Sequence, residues 1–181
     1  MMTWFPNMSL FDAAEALELP EMALSFDHVE VLFNTLIYGP VDSPWGEPPL
    51  PLTRMWIGYE AALAAYGAAL GASLVRHGIH VGVRHIEMAN SLQDLRTHGD
   101  PAPLVMPPWL SDLDVLRSHR SNMMRRWPDR YSWKGTPPLM PYIWPIVDDE
   151  GGYQLKLSKH DRGLIASGDR KLPTSLKELL E

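Results

Sequence analysis

Apolar residues recur at helical spacing through most of the chain, and proline-rich stretches separate the runs. Met22, Phe26, Val29, Leu32, Phe33, Leu36 and Ile37 share one face, which predicts a helix reaching about Tyr38. Pro20 suits its first turn, where a missing N–H costs nothing. A short helix is expected before it, from about Ser9 to Leu19. Trp56, Tyr59, Leu63, Tyr66, Leu70 and Leu74 make the core face of a long helix from about Thr53 to His77, with Gly78 as its stop. A weaker helical segment follows from about Val83 to Arg96. Ser111 is expected to cap a further helix that Pro128 ends. GPVDSPWGEPPLP (39–51) and GDPAPLVMPPW (99–109) read as loops, TPPLMPYIWP (136–145) as extended chain, and YQLKL (153–157) as a short strand without an evident partner. The pattern predicts a mainly α protein: one compact helical domain with proline-rich loops and no internal repeat.

The helix over 112–127 carries the most unusual side chains. On a wheel, Leu113, Leu116, Met123, Met124 and Trp127 form an apolar stripe with Arg120 in its middle. His119, Asn122 and Arg126 share a second face, and Arg117, Ser121 and Arg125 a third. An arginine within a packed stripe needs a carboxylate or a bound anion, because an unpaired buried charge is very costly. Glu30, on the rim of the second helix, and Glu60, beside Gly67 and Gly71 on the long one, are placed to answer it. Either acid is equally readable as a solvated surface group.

Composition and charge narrow the classes. The chain has 181 residues, 45% of them hydrophobic, enough for a real core. It has no cysteine, which excludes disulfides and thiolate metal sites and suits a cytoplasmic protein. The first residues lack the basic region of a signal peptide. MWIGYEAALAAYGAALGASLV (55–75) is apolar enough to raise a membrane span, but Ala and Gly add little hydrophobicity and Glu60 would cost ~2.5–3.5 kcal/mol. It reads instead as a buried helix whose small residues admit a close neighbour, so no membrane partner is expected. Eight acids and no Lys or Arg precede Arg54. Residues 117–134 hold Arg117, Arg120, Arg125, Arg126, Arg130 and Lys134 against Asp129 alone, which leaves −11 for the rest of a chain of formal net charge −6. That asymmetry bears on partners: the basic helix over 112–127 suits either a phosphate backbone or the protein's own carboxylates, and the acidic N-terminal surface is a candidate for a protein partner.

Other chemical signals are few. His77 and His80 have no convincing metal spacing, and no phosphate-binding loop, nucleophile elbow or dinucleotide fingerprint occurs, so no metal or cofactor is expected. Trp127, Tyr131, Trp133, Tyr142 and Trp144 follow the basic residues closely. Such a mixture serves base stacking with phosphate contacts, or cation–π packing within the protein.

Several blocks resemble one family. TWFP (3–6), TRMWIGYEAALAAYG (53–67), PPWL (107–110), HRSNMMRRWPDRY (119–131) and MPYIWP (140–145) are similar to the pyrimidine-dimer DNA glycosylases (endonuclease V-like), nearest to a branch of small bacterial and phage proteins. The resemblance covers most of residues 1–145 and implies a helical glycosylase-like domain there, with 146–181 as an extension packed on or flanking it. It implies base excision: an N-terminal amine attacks the sugar, a glutamate assists, and arginines hold DNA around a flipped nucleotide. Glu30 aligns with the catalytic glutamate and Thr3 with the N-terminal threonine. Met2 is not a small residue, so the chain is expected to keep Met1, whose amine becomes a second nucleophile candidate. Together with the wheel and the charge run, the resemblance makes Arg54, Glu60, His119, Arg120, Asn122 and Tyr142 the substrate candidates, and Arg117, Arg125, Arg126, Arg130 and Lys134 the DNA-backbone candidates. ALSFDHVE (23–30) places Ala23, Phe26 and His28 where relatives are basic. Three functions stay open: a DNA N-glycosylase, with or without lyase activity; a non-catalytic module that binds protein or nucleic acid; or arginines acting as internal counter-ions.

Overall fold

The computed structural model describes residues 5–39, 50–98, 104–137, 139–148, 150 and 152–168. Met1, Thr3, most of the 39–51 loop and the tail beyond 168 lie outside these. The protein is mainly α, with seven α-helices and one two-stranded sheet among the described residues. It divides into two compact units, 1–107 and 108–181. The position 145/146 falls inside the first strand, which spans Ile143–Val147.

The first unit holds α1 (Leu10–Glu15), α2 (Leu19–Tyr38), α3 (Leu50–Arg54), α4 (Glu60–Arg76) and α5 (Arg84–His98). Ser9 caps α1 by accepting the Asp12 N–H, and α1 ends at Glu15, short of the expected Leu19, which instead opens α2. Pro20 sits in the first turn of α2, as its sequence signal predicts. The long helix expected over 53–77 is instead two helices. Gly58 breaks it at φ 79°, a conformation that costs other residues steric strain, and the Glu60 carboxylate accepts the Gly58 N–H at 2.9 Å. The apolar register continues across the break, which hides it from a pattern reading.

α4 packs against α1, α2 and α5. Trp56, Leu63, Tyr66, Leu70 and Leu74 are fully buried, and Phe5 packs on Tyr66 with ring centroids 4.3 Å apart. Gly67 and Gly71 make the close approach to α2 and α5 possible. A Cβ on Gly67 would sit 2.5 Å from the Met88 methyl, and one on Gly71 2.4 Å from the His85 Cβ. Glu15 of α1 meets both Ser73 and Arg76 of α4, and the Arg76 guanidinium lies 5.1 Å from the Phe11 ring centroid.

The second unit contains a 3₁₀ turn (Pro108–Ser111), α6 (Leu113–Arg126), β1 (Ile143–Val147), β2 (Tyr153–Leu157) and α7 (Lys159–Ala166). Asp112, not Ser111, caps α6: its carboxylate accepts the N–H groups of Asp114 and Val115, while Ser111 donates to the Pro108 carbonyl. YQLKL finds its partner in β1, antiparallel, with Ile143 opposite Leu157 and Val147 opposite Tyr153. Pro145 is tolerated because both strands of a two-stranded sheet are edges. Asp148 closes the hairpin by accepting the Glu150 and Gly152 N–H groups. Met140, Ile143 and Leu157 form a small core with Leu155 and Ile165 against it.

Candidate functional site

Each unit presents one group of chemically active side chains. In the first, Asp27 and Glu30 stand three residues apart on α2, hence on neighbouring positions of one face. Arg84, the first residue of α5, reaches both. Its Nε donates to the two Glu30 carboxylate oxygens at 3.0 Å each, its Nη2 lies 2.7 Å from Glu30 Oε2, and Nη2 donates to Asp27 at 2.5 Å. The guanidinium carbon is 4.8 Å from the centroid of the Phe26 ring, a cation–π distance. Burial works against the Arg84 charge, but the hydrogen bonds and charges of Glu30 and Asp27 outweigh it and raise its pKa above the ordinary value. The Glu30 side chain keeps 25% of its surface exposed.

Arg84 carried no sequence signal as a site residue, and neither did Asp27. The pairing joins residues 54 apart in the chain, which no local pattern encodes. Glu60 has a local duty, the Gly58 N–H, and Arg54 ends α3 with its side chain exposed. Glu21, Ser25 and His28 are buried along α2 as well, a polar line the apolar face did not foreshadow.

In the second unit the buried face of α6 is rotated from the expected stripe. Leu116 and Met123 are buried, but Leu113 is 53% exposed, and Ser118, His119, Ser121 and Asn122 are buried instead. The segment that α6 packs against needs this polarity. Ser118 Oγ accepts the Ile143 N–H at 2.7 Å and Ser121 Oγ accepts the Met140 N–H at 2.9 Å, so buried donors of the 140–143 chain are satisfied by the helix. The Asp161 carboxylate, which accepts the hydroxyl of the α7 cap Ser158, also accepts the Tyr142 N–H at 3.0 Å. The His119 and Tyr142 rings meet edge-on with centroids 5.0 Å apart, and the Tyr142 hydroxyl lies 3.4 Å from either imidazole nitrogen. Burial pulls the His119 pKa down to about 3 and pushes that of Tyr142 well above its ordinary value, so both rings are neutral at physiological pH.

The arginines of this unit separate by exposure. Arg120 is half-buried on the flank of the buried face rather than in the middle of a packed stripe, and desolvation with the like charge of Arg117 lowers its pKa. Arg125 is half-buried too, and its Nη2 donates to the Asn122 side-chain Oδ1 at 2.7 Å. Arg117, Arg126, Arg130 and Lys134 are exposed, with Asp114 3.9 Å from Arg117. Beyond the helix, Tyr131 stacks on Trp133, centroids 5.2 Å apart and planes within 6°, and Trp127 meets Tyr131 edge-on. The Met124 sulfur accepts the Trp133 N–H and fixes this turn against α6. Arg126, Arg130 and Lys134 are each adjacent in the chain to one of these three rings, whereas Arg117 lies near the start of α6.

Among the described residues no group of three or more histidine, aspartate or glutamate side chains is arranged to hold a metal ion, and no helix is long and apolar enough to cross a membrane. No family model, curated protein or solved structure matches the chain.

Proposed function

We propose that the protein is a DNA-processing enzyme, an N-glycosylase that releases a damaged or modified base, with Glu30 as its essential carboxylate. The observation that carries this reading is the grip of Arg84 on both Glu30 oxygens, which holds an accessible carboxylate in one orientation. When a glycosidic bond breaks, the base leaves with the bonding electrons and positive charge builds on the sugar. A carboxylate fixed beside that charge lowers the barrier without reorganising during the step. The exposed Arg117, Arg126, Arg130 and Lys134 supply phosphate contacts, and the stack ending in Trp133 supplies a surface for an unstacked base. The nucleophile proposed with Glu30, an N-terminal amine at Met1 or Thr3, lies outside the described residues.

A second reading has its own support. Asp27 and Glu30 share one guanidinium, so this edge carries an excess negative charge that repels phosphate. A non-catalytic module binding a protein through that edge fits the same fact.

Mass spectrometry of released bases separates the two. Wild type and Glu30→Gln are incubated with normal, ultraviolet-damaged, abasic and modified-pyrimidine DNA. The glycosylase reading expects release by wild type and a loss of about 10²–10⁴-fold in the variant. Equal release by both removes Glu30 from the site, and no release by wild type leaves the binding module.

A further inference from the structure

Arg84 opens α5, the helix end at which the macrodipole disfavours a cation. Its place there is compensated by three side chains of α2: the Phe26 ring against the guanidinium, Asp27 on Nη2, and Glu30 on Nε and Nη2. A contact serving only to tie α5 to α2 would need one carboxylate, and Asp27 provides it. Glu30 is bound differently. One nitrogen lies equidistant from both of its oxygens, and a second nitrogen adds a contact to Oε2, so the carboxylate cannot turn without losing a contact. A carboxylate offers about four lone-pair sites, and all three contacts approach from a single planar group. The remaining acceptor capacity therefore faces away from Arg84.

We propose that Arg84 is the positioning residue of Glu30, clamping the carboxylate so that its unused acceptor side meets the sugar as positive charge develops there. This rests on the glycosylase reading above. Arg84 does not touch the reacting atoms. It acts by fixing the group that does, and Asp27 and Phe26 in turn fix Arg84.

The test is single-turnover base release by wild type, Arg84→Met, Arg84→Lys and Arg84→Ala on whichever DNA of the panel wild type processes. Binding is followed by fluorescence anisotropy and folding by circular dichroism. Arg84→Met is expected to slow release by about 10–100-fold with DNA affinity unchanged, the cost of a misplaced reacting group. Arg84→Lys recovers only part of the rate, because an ammonium lacks the planar fork. Methylguanidinium added to Arg84→Ala restores rate saturably and leaves wild type unaffected, which a purely structural role would not produce. Should Arg84→Met fail to fold, the lysine variant and the rescue, run well below its melting temperature, decide. Wild-type rate in Arg84→Met, or a loss that methylguanidinium does not relieve, overturns the clamp alone. Absence of release by wild type itself removes the glycosylase reading, and the clamp with it.

Discussion

His119 shows what burial does to a single side chain. With none of its surface exposed, the imidazole is neutral when folded, its pKa pulled to about 3 by desolvation. Between that value and the ordinary histidine range near 6.5, the unfolded chain binds a proton that the folded one does not. Stability is therefore complete above about pH 6.5 and falls as the pH drops, by at most about 1.4 kcal/mol per pH unit from this residue. His119→Phe keeps a ring edge against Tyr142 and removes the titration. Urea denaturation at pH 7, 6, 5 and 4 should show wild type losing stability faster than the variant, and parallel slopes would mean His119 is protonated in place. The neighbouring serines make a complementary case. Ser118→Ala strands the Ile143 N–H, and Ser121→Ala the Met140 N–H, each in a buried setting. Each should cost about 1–3 kcal/mol in the same denaturation, although by composition alone serine to alanine favours a helix.

Helices and their contacts decide the next scale, and glycines test it. Gly67 and Gly71 lie one turn apart on α4, so alanine should favour the helix equally at both, by about 1 kcal/mol. Their neighbours differ. The atom nearest a Cβ on Gly67 ends a flexible methionine, whereas that on Gly71 meets His85 at its Cβ and, at 3.3 Å, its Cα. Gly71→Ala must move α5 itself and should destabilise by about 1–3 kcal/mol, with Gly67→Ala close to neutral. Equal melting temperatures would contradict this packing. Gly58→Ala forces a Cβ into a left-handed conformation and should cost about 1–2 kcal/mol by loosening the start of α4. The same elements mark what the sequence made legible. The start of α1, the Pro20 turn of α2 and the small-residue face of α4 were readable, because each depends on neighbours within a few positions. The break at Gly58 was not, since Met55, Trp56 and Tyr59 keep the apolar register through it. Nor was the rotation of α6, which is set by backbone donors some 20 residues downstream, or the partner of YQLKL. Glu30 was legible as a rim acid, while Arg84, which holds it, was separated from it by 54 residues and by two intervening helices.

At the scale of the whole molecule, charge is the property the sequence displayed most plainly, and the structure divides it into charges that can reach a phosphate and charges that serve the fold. Of six basic residues between 117 and 134, Arg120 and Arg125 are half-buried, and Arg125 is engaged with Asn122. Arg117, Arg126, Arg130 and Lys134 remain exposed. If these four neutralise duplex phosphates, the logarithm of the association constant should fall with the logarithm of salt concentration at a slope of about −3.6, and at about −2.8 for a single strand. The remaining chain, at −11, opposes any polyanion, so binding should be weak and confined to low salt. Fluorescence anisotropy with duplex and single-stranded oligonucleotides between about 20 and 200 mM salt, across which the Debye length falls about threefold, measures the slope directly. Lys134→Ala and Arg126→Ala should each flatten it by about 0.9 and weaken binding to all sequences alike. Arg125→Ala should leave the slope intact and lower the melting temperature instead. A slope unchanged by the exposed substitutions would assign the basic residues to the protein's own acids and leave the stack at Trp133 as an internal brace.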